Sequence, residues 1–87
     1  MWYERRKEGL GERFLKSVNK LLRRIDENPL LYAIVHKDAR RAIVETFPYL
    51  VYYRLVGDEV IVVAVFHAKR KPRAWQARID QDLLRGE

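Results

Sequence analysis

Apolar residues recur every three or four positions between residues 10 and 25, and charged residues fill most positions between them. The apolar positions are Leu10, Phe14, Val18, Leu21, Leu22 and Ile25. This spacing follows the 3.6-residue turn of an α-helix, so the segment is predicted to form an amphipathic helix. Pro29 should end it, because proline donates no backbone hydrogen bond and disfavours α conformation at the residue before it.

A second, shorter helical segment is predicted just before this helix. Residues 2–8 have a helical pattern, and Gly9 and Gly11 suit a sharp break between two helices. We therefore expect a helical hairpin over residues 2–28. Its first arm is too short to be stable alone, so Trp2 and Tyr3 should pack against another surface.

The pattern changes to strands near residue 39. Three strands are predicted, at about residues 39–47, 49–56 and 59–67, and Gly57 and Asp58 suit a tight turn between the last two. Residues 60–66 are apolar at every position, so the third strand should be central, or covered on its second face by a helix or a partner. Trp75, Ile79 and Leu83 are spaced by four residues, which predicts a short C-terminal helix.

These elements predict one α+β domain over residues 1–87, in which an N-terminal helical hairpin packs on a three-stranded antiparallel sheet and a short C-terminal helix follows. The residues expected to be buried include Phe14, Val18, Leu21, Ile25, Val51, Tyr53, Val62 and Ala64. The chain has no cysteine, which favours a reducing cytoplasm, and no apolar run long enough to cross a bilayer. Its net charge of +6 favours a polyanionic partner, such as nucleic acid, an anionic protein face or an acidic peptide.

Candidate functional side chains cluster at the strand ends. His67 is followed by a cation-rich segment, Arg40 and Arg41 open the first strand, and Arg54 lies in the middle of the second. If Arg54 is buried, it needs a carboxylate partner or an aromatic ring to stack on. A lone histidine at a strand end is most often a polar residue that is hydrogen-bonded to a turn. His36 and His67 have no third ligand in a recognisable pattern, so no metal and no cofactor are expected.

Three stretches resemble the ParE branch of the RelE/ParE toxin superfamily, the toxins of bacterial toxin–antitoxin and plasmid-stabilisation operons. They are "WYERRKEGLGERFLKSVNKLLRRIDENP", "RRAIVETFPYLVYYRL" and "VFHAKRKPRAW". The most specific features are "GLGERFL", "RR…FPY…YY" and the set His67, Arg70, Pro72 and Trp75. Family members usually open with a strand and most of a first helix, whereas this chain begins where that helix should be ending. The resemblance therefore implies an open sheet edge, for which dimerisation, strand exchange and a misplaced start codon are the alternatives. For the chain as given we expect self-association, as a homodimer, through strand edges or through Trp2 and Tyr3.

The resemblance implies a non-enzymatic cytoplasmic toxin that binds DNA gyrase, stabilises its DNA-cleaved state and is neutralised by a cognate antitoxin. The alternative is a ribosome-dependent endoribonuclease that cuts mRNA, with His67 in a proton-transfer role and Arg70 stabilising charge; Trp75 then stands where that branch typically has a tyrosine or histidine. A third interpretation is an inactive truncated toxin that only binds antitoxin. The residues assigned to target or antitoxin binding are Arg40, Arg41, Arg54, His67, Lys69, Arg70, Lys71, Arg73 and Trp75.

Overall fold

The computed structural model describes residues 9–86 and confirms the α+β class. Its elements, in chain order, are α1 (Leu10–Glu27), β1 (Ile34–His36), β2 (Ala39–Ile43), β3 (Tyr49–Val56), β4 (Glu59–His67) and α2 (Pro72–Gly86). The first arm of the expected helical hairpin, residues 2–8, lies outside the described residues. The predicted long helix, the β3–β4 hairpin and the C-terminal helix are confirmed.

Helix α1 begins and ends where its sequence predicts. Gly9 precedes it with φ of 79°, a left-handed conformation that glycine adopts without a steric penalty. At the other end the Asn28 amide donates to the Arg24 carbonyl at 3.0 Å, and Pro29 prevents a further turn. The apolar stripe of α1 packs against the sheet, where Leu21 and Ile25 are buried.

Within residues 9–86 the sheet has four antiparallel strands in the order β1-β2-β3-β4, so the prediction of three strands is wrong by one there. The additional strand, β1, is three residues long, and its register against β2 shifts between Ile34 and His36. A strand this short contains too few residues to show a period-two alternation. It forms because Lys37 adopts φ of 54°, which lets the chain turn back into β2.

In the described part of the chain one helix packs against each face of the sheet, and side chains alternate between the two layers along β3. Val51 and Tyr53 join the core beneath α1, whereas Tyr52 joins the core beneath α2. The core on the α1 face consists of Leu21, Ile25, Ala42, Val44, Val51 and Tyr53. The core on the α2 face consists of Ala39, Tyr52, Val63, Ala64, Trp75 and Ile79.

Strand β4 contains a β-bulge at its centre. Tyr52 lies opposite Ala64 and Tyr53 opposite Val62, so Val63 is an extra residue on β4. Among the described residues β4 has one neighbouring strand, β3, so of the two alternatives expected for β4 the central position is not observed there, and both of its faces meet a helix-covered core. Helix α2 covers one face of β4, and the other face is partly open.

The buried set is largely confirmed. Leu21, Ile25, Val51, Tyr53 and Ala64 are buried, and Phe14 and Val18 are half-buried. Val62 was expected in the core but is 44% exposed, because β4 lies at the margin of the area that α1 covers.

Ile25→Ala should lower the free energy of unfolding by about 2–5 kcal/mol, because Ile25 is completely buried and its truncation leaves a cavity. Urea unfolding followed by circular dichroism measures the change. Leu15→Ala is the matched control on the same helix, since Leu15 is 45% exposed and its truncation should cost far less. Equal losses in the two variants would contradict this packing of α1.

Candidate binding surface

Helix α2 docks on the sheet through Trp75. The indole ring stacks on Tyr52, with ring centroids 4.8 Å apart and planes 20° apart, and it meets the edge of His36 at 6.2 Å. Trp75 is 7% exposed, and Ile79, one turn later, is fully buried. Trp75 was assigned to partner binding from the sequence, but its contacts place it inside the fold, as the residue that holds α2 in place.

A cluster of ion pairs around the buried Arg54 fixes the other end of α2. The Arg54 Nε and Nη2 atoms donate to the two carboxylate oxygens of Asp38 at 2.8 and 3.1 Å, and Nη1 donates to Asp82 Oδ2 at 3.1 Å. His36 Nε2 lies 2.9 Å from Asp80 Oδ1, which links α2 to β1 as well. The Arg54 side chain is 6% exposed, so its guanidinium is engaged within the domain rather than presented to a partner.

Burial and charge shift three pKa values in this region. The hydrogen bonds from Arg54 lower the pKa of Asp38, against the opposing effect of partial burial. Burial raises the pKa of Tyr52 and of Tyr53, and nearby arginines oppose that rise in both. For Tyr52 that arginine is Arg41, although the Tyr52 hydroxyl makes no hydrogen bond with any residue in the described part of the chain.

The adjacent arginines of β2 point to opposite faces of the sheet. Arg40 lies opposite Tyr53, on the α1 side, and its Nη1 donates to the Tyr32 carbonyl at 2.6 Å. Arg41 lies opposite Tyr52, on the α2 side, and is exposed. Of the two, Arg41 is therefore the one that a partner on the α2 face can reach.

His67 and Arg70 also lie on opposite faces. The Lys69 amide donates to His67 Nδ1 at 3.0 Å, and the imidazole packs edge-on against Tyr49 with centroids 5.2 Å apart. The Arg70 guanidinium lies over the Phe66 ring, 4.9 Å from its centroid. Because Phe66 and His67 are consecutive strand residues, these contacts separate the imidazole from the guanidinium, and the two groups do not converge on one reacting atom. His67 has the turn hydrogen bond expected of a structural histidine.

Four cations converge at the N-terminus of α2. A pocket of about 520 Å³ is lined by Lys69, Arg70, Lys71, Arg73, Ala74 and Ala77, and we call it the cationic pocket. The first turn of α2 contains no acidic residue, so the partial positive charge of the helix N-terminus adds to the four side chains. This arrangement favours carboxylate or phosphate groups.

Beside the cationic pocket an apolar row crosses three strands. Ile43 lies opposite Leu50, and Leu50 lies opposite Phe66, all on the α2 face. The three residues form an apolar row about 10 Å long, from the usual spacing of strands. Arg70 stacks on its Phe66 end, and Arg41 lies two residues before Ile43 on the same face. Ile43 is 69% exposed because α2 does not extend over it. The sequence did not predict this row, since it depends on where α2 ends up on the sheet.

Residues 9–86 also bear on two other kinds of site, a metal centre and a membrane-spanning helix. No group of three histidine, cysteine or acidic residues is placed to hold a metal ion there. Neither of the two described helices has the length and apolarity that a membrane crossing requires.

Asp38→Asn should reduce stability at neutral pH and make the acid dependence of stability shallower. Since Arg54 lowers the pKa of Asp38 in the folded chain, the ion pair stabilises the fold above the ordinary carboxyl pKa of about 4, and this contribution is lost as the pH falls through the lowered value. Urea midpoints measured across the acid range test this. Asp58→Asn, in the exposed β3–β4 turn, is the control, and equal acid profiles for the two variants would contradict the role given to Asp38.

The comparisons with known proteins agree with the resemblance noted above. A family model described as the ParE toxin of the type II toxin–antitoxin system parDE matches residues 2–72. The search of curated proteins and the search of solved structures each found no match. The matched region includes α1 and all four strands, whereas α2 after Pro72 lies beyond it. The chain therefore belongs to the ParE toxin family, the toxins of type II toxin–antitoxin systems.

Proposed function

We propose that this toxin acts in the cytoplasm by binding DNA gyrase and stabilising the enzyme in its DNA-cleaved state, and that a cognate antitoxin neutralises it by covering the α2 face. Membership of the ParE family supports a toxin with an antitoxin partner. The observation that carries the binding proposal is the apolar row, which has Arg41 beside one end and Arg70 at the other.

The partner for this surface is an acidic and apolar polypeptide segment. Its apolar side chains would cover the apolar row, where removing Ile43 from water contributes up to about 1.5–3 kcal/mol. Its carboxylates would meet Arg41, Arg70 and the remaining side chains of the cationic pocket. Because the toxin carries a net charge of +6, an acidic segment would also be attracted before contact.

The same geometry supports action by binding rather than by RNA cleavage. Cleavage needs a proton acceptor and a cation at one phosphate. Here His67 packs on Tyr49 and Arg70 packs on Phe66, on the two opposite faces of the sheet. Trp75, which stands in the segment where the nuclease branch typically has a tyrosine or histidine, stacks on Tyr52.

Gyrase poisoning is tested with the purified chain, gyrase holoenzyme, supercoiled plasmid and ATP. Linear DNA that appears after the protein is denatured would support the proposal, as would filamentous growth with DNA damage in cells that express the chain. Halted translation with cleaved messages would instead identify a ribosome-dependent endoribonuclease. Normal growth with antitoxin binding retained would identify an inactive antitoxin-binding form.

Charge reversal at Arg70 and Arg73 should weaken antitoxin binding. The variant R70E/R73E places two carboxylates where the partner's carboxylates are expected, so Kd should rise at least about tenfold, with faster dissociation. Surface plasmon resonance measures both, using the protein encoded by the gene that adjoins the toxin gene. R23E/R24E on α1 changes the net charge equally and is the matched control. Unchanged affinity in R70E/R73E would remove the cationic pocket from the interface.

Ile43→Ser should weaken the same complex without destabilising the free toxin, because Ile43 is 69% exposed before binding. The loss of its burial should raise Kd about tenfold or more. Leu84→Ser is the control, since Leu84 is 85% exposed near the end of α2. If both variants bind as the native chain does, the apolar row is not the antitoxin contact.

A further inference from the structure

Tyr52 is buried with a hydroxyl that has no partner among residues 9–86. Its side chain is completely shielded from solvent and its ring stacks on Trp75, yet the hydroxyl makes no hydrogen bond within this part of the chain. A buried hydroxyl without a partner is costly, and most buried polar groups in native proteins are hydrogen-bonded. The exception at Tyr52 therefore calls for a physical reason.

The next residue on the same strand shows the usual solution. Tyr53 is equally buried, but on the α1 face, and its hydroxyl donates to the Pro29 carbonyl at 2.6 Å. The two consecutive tyrosines therefore have similar burial and differ in whether the domain supplies an acceptor for the hydroxyl. This contrast makes each of them a control for the other.

The carboxylates of the α2 face are engaged elsewhere. Asp38 and Asp82 accept hydrogen bonds from Arg54, and Asp80 lies 2.9 Å from the His36 ring. None of these contacts reaches the ring that stacks on the tryptophan. The described part of the chain thus gives the buried tyrosine of this face no acidic acceptor.

Arg41 is the charged side chain that lies beside this hydroxyl. It is directly opposite Tyr52 on β2, so the two side chains share a face. Burial raises the pKa of Tyr52 and Arg41 opposes that rise, which places the positive charge near the phenolic oxygen. A guanidinium has donors only, so it can donate to that oxygen but cannot accept the hydroxyl proton. The pair still requires an acceptor.

A single carboxylate meets both requirements. Its oxygens can accept from the Arg41 guanidinium and from the Tyr52 hydroxyl at the same time. Arg41 is exposed, so a change of its rotamer opens the hydroxyl to a ligand. Ile43 lies two residues further along β2 on the same face, about 7 Å away. A partner that covers Ile43 therefore brings a neighbouring acidic side chain within reach.

We propose that Tyr52 and Arg41 form a carboxylate site on the α2 face, which accepts an aspartate or glutamate of the antitoxin segment beside the apolar residue that covers Ile43. The inference rests on the proposed antitoxin contact and names the chemistry that selects the partner at this point. A lysine or arginine of the partner would meet a like charge here and leave the hydroxyl proton unpaired. The site is distinct from the cationic pocket, whose lining includes neither residue.

Two consecutive phenylalanine substitutions test the site, with the protein encoded by the adjoining gene as the probe. Y52F removes only the hydroxyl, so its urea midpoint should equal or exceed the native value, whereas Kd by surface plasmon resonance should rise about tenfold or more because a hydrogen bond to a carboxylate is lost. Y53F is the matched control. It loses the bond to Pro29 on the other face, so its urea midpoint should fall and its Kd should stay native.

Coupling to Arg41 supplies an independent readout. In an R41A background, Y52F should change Kd by less than about twofold, because the carboxylate is no longer held beside the hydroxyl. Equal Kd values for the native chain and Y52F, or the same loss from Y52F with and without Arg41, would overturn the site and leave the antitoxin contact in place. A lower urea midpoint in Y52F would show a hydroxyl already paired in the free chain and would also overturn it. If the native chain does not bind the adjoining protein, the proposed antitoxin contact fails, and this site with it.

Discussion

The buried guanidinium of Arg54 is the interaction on which the arrangement of the domain depends. It joins three segments that are distant in sequence: the β1–β2 turn through Asp38, the centre of β3, and the last turns of α2 through Asp82. An unpaired charge at this depth would cost several kcal/mol, and the two carboxylates that pair with it hold the β1–β2 turn, β3 and α2 together in the folded domain. Helix α2 is consequently an integral layer of the domain, although the family match ends where it begins.

Packing on the two faces of the sheet divides most of the candidate side chains into two groups. In one group the polar or aromatic part of the side chain makes its contacts within the domain; this group contains Trp75, Arg54, Arg40 and His67. The segment between β4 and the first turn of α2 supplies the other group, in which four basic residues line one pocket: Lys69, Arg70, Lys71 and Arg73. Because α2 leaves Ile43 uncovered, the same placement supplies an apolar surface beside these cations. Packing within the domain thus determines which basic residues are available for recognition.

Local sequence patterns predicted much of the fold. The spacing of apolar residues predicted helix α1, and Gly57 and Asp58 predicted the turn between two apolar strands. Both signals depend on residues that are close in sequence, and both elements are confirmed. Strand β1 could not be predicted, because its pairing rests on the Lys37 turn rather than on its own three residues. The partners of Arg54 lie 16 and 28 residues away, and the apolar row exists only after three strands are in register. These contacts depend on how the strands and helices are arranged in space, which no short stretch of the sequence specifies.

The alternation along β3 also protects the register of the sheet. Tyr52, Tyr53 and Arg54 are consecutive, and the two tyrosines fill different cores while the arginine meets its carboxylates on the α2 side. A slip of β3 by one residue would turn every side chain to the other face and carry the Arg54 charge into the apolar layer beneath α1. A misaligned β3 would therefore leave the charge of Arg54 unpaired, which disfavours that register. In this way Arg54 helps to fix the register of β3 in the sheet.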